Sequence, residues 1–184
     1  MTGQIAILRA VNLGKDSSIA MADLRALMAT LGFEAKTLLQ SGNLVFDGGK
    51  EKGPALESLI EKEIAARLSL KTEIFVRTAK EWDALVAANP FPEAAKVDPA
   101  HLVMMTLREK AKAADVKKLR DAIKGRETVA AEGRVLYLVY PDGIGRSKQT
   151  MALIEKALGT RGTGRNWNTV LKIAALAAEL ASER

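Results

Sequence analysis

The 184-residue chain has no cysteine, a single histidine (His101), and only two Trp, two Tyr and four Phe. The first absence excludes disulfides, thiolate zinc sites, iron–sulfur ligation and a cysteine nucleophile. One histidine without cysteine makes a poor metal centre, and no carboxylate cluster stands at ligand spacing, so the expectation is no metal. Scarce aromatics argue against a stacking platform for single-stranded nucleic acid. Long apolar runs are missing too. The longest, 173–180, is far too short to span a bilayer, which predicts no membrane partner. The N-terminus runs from Met1-Thr2-Gly3-Gln4 into strand-like Ile5 to Leu8, with neither a charged segment nor a small-residue cleavage site. That reads as no leader, and with the missing cysteine it fits a cytoplasmic protein.

What is present is an ordinary globular composition, 48% hydrophobic and 27% charged, with enough length to bury a core. The charge is lopsided. Residues 1–95 carry 11 basic and 12 acidic groups, net −1, whereas residues 96–184 carry 17 and 10, net +7. From Arg146 to Lys172 six Lys/Arg face one acid, Glu155. A basic half makes a phosphorylated small molecule or a nucleic acid a plausible partner. A solvated basic face is the plainer alternative.

The element order repeats. Strand 5–10 leads to a helix with Leu24, Leu27, Met28 and Leu31 at helical spacing, stopped by Gly32. Strands 37–40 and 44–46 flank a Ser41-Gly42-Asn43 turn. Pro54 opens a helix through Leu56, Ile60, Ile64 and Leu68, and strand 74–76 follows. Thr78-Ala79-Lys80-Glu81 is a capping box before a short helix. The segment 89–99 holds three of the five prolines and reads as a linker (residues 90–99) between subdomains 1–89 and 100–184. Beyond it come strand 101–107, a helix capped by Gly125, and strands 128–131 and 134–140 turning at Glu132-Gly133. A helix ended by Gly159 and a last helix through Val170, Ile173 and Leu180 complete the chain. Hairpins make antiparallel pairing obligatory. The expected fold is therefore α+β, two similar ferredoxin-like (strand–helix–hairpin–helix) subdomains with antiparallel or mixed sheets.

Four polar motifs fall at element ends, where sites are usually built. Arg165-Asn166-Trp167-Asn168-Thr169 puts a guanidinium, two amides, an indole and a hydroxyl before the last helix. Asn168 is the expected cap, and a cation at a helix N-terminus opposes the macrodipole, favouring an anion nearby. Gly143-Ile144-Gly145-Arg146-Ser147-Lys148 follows a strand and opens a helix, a context suited to an anion. It lacks Walker A spacing, and Ser147 as an N-cap is the simpler reading. Arg9 and Asn12 close the first strand, and Gln40-Ser41-Gly42-Asn43 is also good hairpin chemistry. Glu57, Glu61 and Glu63 read as the solvated face of an amphipathic helix. No G-x-S-x-G marks a serine nucleophile.

Taken together, Ala6 to Gly14, Met21 to Arg25, Gln40 to Phe46, Asn89-Pro90-Phe91, Ser147-Lys148 and Arg165 to Val170 resemble the family named domain of unknown function 1697. The family's usual first motif has glycine where Ala10 and Lys15 stand. The resemblance implies an α+β fold of two similar subdomains and no activity. It groups Arg9, Asn12, Gln40, Ser41, Asn43, Lys148 and the run Arg165, Asn166, Trp167, Asn168 and Thr169. The expectation is one shared polar cleft binding an anionic, phosphorylated ligand, a nucleotide or nucleic acid, with no cofactor assigned. Arg165, Lys148 and Arg9 would supply charge, the amides would orient the ligand, and Trp167 would stack or pack. A metal-independent transferase or hydrolase using the same cleft is one alternative. A structural or interaction protein whose polar motifs only fix turns and caps is the other.

Overall fold

The computed structural model describes residues 3–12, 18–47 and 51–183. Leu13, Gly14 and Lys15 of the first motif lie outside these residues. Two compact units divide the chain: Met1–Ala84 with Lys172–Arg184, and Leu85–Leu171.

In the first unit, β1 (Gly3–Leu8), α1 (Met21–Thr30), β2 (Ala35–Leu38), β3 (Asn43–Asp47), α2 (Gly53–Leu68) and β4 (Ile74–Thr78) follow in sequence. The sheet order is β2-β3-β1-β4 and every pairing is antiparallel. Strand period and helix period meet on one side of the sheet. Ala6 and Leu8, Leu44 and Phe46, and Ile74 and Val76 alternate inward against Leu24, Leu27 and Met28 of α1 and Leu56, Ile60 and Ile64 of α2. Gly42 has φ +73°, and a Cβ there would stand 2.7 Å from both Leu8 Cβ and Val11 Cγ2. The hairpin therefore requires glycine at this point for space as well as for backbone sign.

After α3 (Ala79–Ala87), the second unit holds α4 (Pro92–Val97), β5 (Leu102–Leu107), α5 (Ala113–Ala122), β6 (Thr128–Glu132), β7 (Val135–Val139), α6 (Met151–Leu158) and β8 (Gly162–Asn166). Its sheet runs β6-β7-β5-β8, again antiparallel throughout. Val103, Met105, Leu107, Leu136, Leu138 and Tyr140 face Val116, Leu119, Ile154 and Leu158 of its helices. The last helix, α7 (Trp167–Ser182), gives its first turn to this unit and the remainder to the first.

Several details depart from expectation. The proline-rich stretch is partly helical: Pro92 opens α4, where its missing N–H costs nothing. α5 ends at Ala122 with Ile123 extended as its C-cap, so Gly125 is not the cap. Thr150, not Ser147, caps α6, accepting from Leu153 N–H at 3.3 Å. The capping box is present: Thr78 N–H donates to Glu81 Oε2 (2.7 Å) and Glu81 N–H to Thr78 Oγ1 (3.1 Å).

The acids of α2 are not a solvated face. Glu57 is 1% exposed, and its Oε1 accepts from Val76 N–H at 2.8 Å. Glu61 Oε1 accepts from Ile74 N–H at 2.8 Å, while Glu63 pairs with Arg67 at 2.7 Å. Strand β4 lies at the sheet's edge, so these carboxylates satisfy outward N–H groups that no strand pairs. Arg77, 3% exposed, stands 3.8 Å from Glu57 and donates to Val76 O. The second unit repeats the device: Glu155 of α6 accepts from the N–H of Gly162, the first residue of edge strand β8, at 2.9 Å.

Candidate functional site

Five of the expected site residues, Arg9, Asn12, Gln40, Ser41 and Asn43, belong to the first unit. Asn12 works on the backbone. Its Nδ2 donates to Gln40 O (2.5 Å) and Ile19 O (3.1 Å), and its Oδ1 accepts from Ile19 N–H (2.8 Å). It thus clips three chain segments at the end of β1. Asn43 is fully buried and donates to Leu38 O (2.9 Å) and Ser41 Oγ (3.0 Å), closing the hairpin from inside. The Arg9 guanidinium lies 3.4 Å from Glu73 Oε2, and its carbonyl accepts from the Thr72 hydroxyl. The structure brings Asn12 to Gln40 and Ser41 to Asn43, in each case through bonds that hold the fold.

The other expected residues belong to the second unit. α7 starts at Trp167, two residues before the expected Thr169, and this moves the cap. Asn166, not Asn168, accepts from Thr169 N–H at 3.0 Å, the N-cap to N3 pattern. Asn168 is exposed, Trp167 is 4% exposed in the core, and Thr169 is buried. Arg165 sits on β8 opposite Met104 and folds back on its own strand, donating to Thr163 Oγ1 (3.0 Å) and Gly164 O (2.9 Å). Burial pushes its guanidinium down to about 10. Lys148 is exposed and stands elsewhere, on the wall of a cavity of about 470 Å3.

That cavity is built where α5, the start of β6, the end of β7 and the loop before α6 meet. Tyr140 follows β7, and a turn at Pro141-Asp142 leads to Gly143 at φ +88° and a 3-10 turn, Ile144–Arg146. The wall combines Lys124, Arg146 and Lys148 with Glu127, Ser147 and Gln149, closed by Tyr140 and Leu153. The Ser147 hydroxyl donates to Glu127 Oε1 and accepts from Gln149 N–H at 3.0 Å. Tyr140 OH donates to Gln149 O at 3.2 Å. Burial first, and then the charge of Glu127, push the Tyr140 phenol up to about 12, so it stays a neutral donor. Asp142 is occupied by Arg126, whose Nε lies 3.0 Å from its Oδ2, and this bond holds its carboxyl below its usual range.

Two acceptors in this wall are unused. Glu127 Oε2 and Gln149 Oε1 are buried without a hydrogen-bond partner, and Gln149 is only 8% exposed. Orphan acceptors of this kind are costly, and a native structure has few of them. Gly125 makes the room: a Cβ there would stand 2.1 Å from Glu127 Oε2. The Gly143 to Lys148 stretch was legible as a polar loop after a strand. Lys124, Glu127 and Gln149 were not, because only tertiary packing brings residues 124–127 to residues 146–149. The one signal they carried was the charged run Lys124-Gly125-Arg126-Glu127 between helix and strand.

A protein of two four-stranded antiparallel sheets, each covered by helices, with a polar cavity in the second unit, is the class defined by fold and site. Residues 1–137 match the family described as protein of unknown function (DUF1697), and the chain belongs to it. The match takes in the first unit's polar cluster and Lys124 to Glu127, whereas Tyr140 to Leu153 lie beyond it. The fold is similar to that of conserved bacterial protein SP0830 from Streptococcus pneumoniae, with a TM-score of 0.72 over 96% of this chain and 98% of that chain. At 17% identity this likeness shows the fold alone. No curated protein matches the chain.

Proposed function

We propose that the cavity of the second unit binds an anionic, phosphorylated ligand, a nucleotide or a segment of nucleic acid. The observation that carries this reading is the cation excess of the wall. Lys124, Arg146 and Lys148 line it, while Asp142 is committed to Arg126. A concave wall with low-dielectric sides focuses such charge on a phosphate. Lys148 and Arg146 supply charge in this reading, and Arg165 supports β8. The two units, with the same strand order and the same glutamate-to-strand bond, are read as ferredoxin-like copies of one ancestral unit.

Titration calorimetry with pyrophosphate, ATP and a short RNA duplex tests the reading. Lys148→Ala should weaken binding by about one to two decades, the worth of a hydrogen bond to a charged group. Lys156→Ala, outside the wall, should change it little. A duplex held at several phosphates would give a steep fall of log affinity with log salt, a nucleotide in the cavity a shallow one. Equal effects of Lys148→Ala and Lys156→Ala would reduce the basic segment to a charged face. The alternative of a metal-independent transferase or hydrolase rests on the Ser147 hydroxyl held by Glu127. It requires turnover of the bound ligand that Ser147→Ala removes.

A further inference from the structure

We infer that the ligand of this cavity is a mononucleotide whose base is left unread: the phosphate lies on the cationic wall and one face of the base on an apolar ledge. This deepens the phosphate reading above and rests on it. A phosphate group fills only a small part of a cavity of about 470 Å3, a volume within the roughly 300–1,000 Å3 of small-molecule sites. The rest of the wall has two characters. Its loops contribute cations, Lys124 after α5 and Arg146 and Lys148 before α6. Its helices contribute Ala122, the last residue of α5, and Leu153, in the first turn of α6.

Leu153 takes no part in the core. α6 buries Ile154 and Leu158 against the sheet, whereas Leu153 is 42% exposed and lines the cavity. A bare phosphate leaves that leucine in water, and a ligand with an apolar part covers it. Two short side chains make a ledge suited to a flat, rigid ring. A flexible acyl chain would lose rotational freedom in lying on it. A longer strand of nucleic acid needs a platform for each successive base, and this ledge serves one. The groups that could read a base edge are committed or out of reach. Ser147 donates to Glu127 Oε1 and accepts from Gln149 N–H. Tyr140 OH donates to Gln149 O, while Glu127 Oε2 and Gln149 Oε1 are buried away from any ligand. Asp142 is paired with Arg126. The three cations can only donate, and every base presents them an acceptor.

Calorimetry on the full chain with pyrophosphate, ribose 5-phosphate, AMP, UMP, hexyl phosphate and a uridine hexamer tests this. AMP should bind about tenfold tighter than ribose 5-phosphate, the worth of roughly 60 Å2 of apolar area taken from water. UMP should lie within about fivefold of AMP. Leu153→Asn should erase the advantage of AMP and leave ribose 5-phosphate as tight as before, whereas Leu153→Met should keep the advantage. Leu171→Asn, at an exposed leucine outside the wall, should change nothing. Circular dichroism confirms the fold of each variant, and the wild-type comparisons need none. AMP no tighter than ribose 5-phosphate, or an advantage that survives Leu153→Asn, overturns this inference. Pyrophosphate binding that Lys148→Ala weakens then keeps the phosphate reading. Hexyl phosphate matching AMP would give the ledge to a chain, and a hexamer about fiftyfold tighter than UMP would give the site to a strand. Either result overturns the mononucleotide, and a larger gap between AMP and UMP overturns the unread base. Failure of every compound to bind overturns both readings.

Discussion

Ala10 has φ +54°, in the left-handed region that an L-residue occupies at a cost of roughly 1–2 kcal/mol. It lies just past Arg9 after the end of β1, before the Asn12 clip, and the family's usual glycine at this position suits that backbone. Glycine would remove the strain but lose more chain freedom on folding, about 0.5–1 kcal/mol. Ala10→Gly should therefore raise stability by about 0.5–1 kcal/mol, read as a higher urea midpoint at unchanged slope. A lower midpoint would mean that the methyl group packs usefully. The sequence marked Ala10 as a departure. It could not say that the departure stores strain, because backbone sign follows from the path the chain takes between β1 and Asn12.

Helix α2 is amphipathic by count, and the count misled. Helical period assigns Glu57 and Glu61 to the polar flank, but α2 lies beside an edge strand, so that flank meets unpaired N–H groups. Glu57→Ala leaves Val76 N–H without its acceptor and removes the carboxylate 3.8 Å from Arg77. Removing one partner of a buried ion pair costs about 3–5 kcal/mol, so a loss of that order is expected in chemical denaturation. Glu61→Ala should cost about 1 kcal/mol, the worth of one ordinary hydrogen bond. A Glu57→Ala loss no larger than that of Glu61→Ala would show that the pair is not buried as described. Several local signals hold, although those at Gly125 and Ser147 do not. The Thr78–Glu81 capping box, the Gly32 and Gly159 helix ends and the Gly133 turn each depend on a few adjacent residues. Where two nearby residues compete, as Asn166 and Asn168 do for the cap of α7, the core decides. Trp167 is drawn inside as the first helical residue, and the cap must precede it.

On the scale of the whole chain, the pattern of strands and helices was legible because each unit alternates its apolar residues cleanly against one core. The cavity was not, since its wall joins segments some twenty residues apart. The chain's two tyrosines offer a direct readout of the second unit. Burial, then Glu132, pushes Tyr137 up to about 12, as burial and Glu127 do for Tyr140. A phenol kept neutral when folded contributes stability that is complete below its ordinary value near 10 and lost as pH rises toward 12. Arg165, lowered to about 10, acts with the opposite sign over the same range, so tyrosinate absorbance is a cleaner signal than the melting temperature. Folded protein should form little tyrosinate at pH 10.5, where the same chain in denaturant forms it with a midpoint near 10. Early tyrosinate in the native protein would mean that the two phenols are not buried as described.

The glutamates along β4 and at the start of β8 have a further consequence, for assembly. A strand arriving from another polypeptide must find a row of alternating donors and acceptors. At β4 it would meet carboxylates already seated on Ile74 and Val76 N–H, and at β8 one on Gly162. Sheet growth by strand addition is therefore discouraged on those flanks and left to the opposite rims, β2 and β6, where Lys36 is tethered to Glu183 and β6 ends in Glu132. Each sheet has a polarity of accretion: one margin meets glutamates of its own helix, the other meets arginines, Arg25 at Thr37 of β2 and Arg120 at Val129 O of β6.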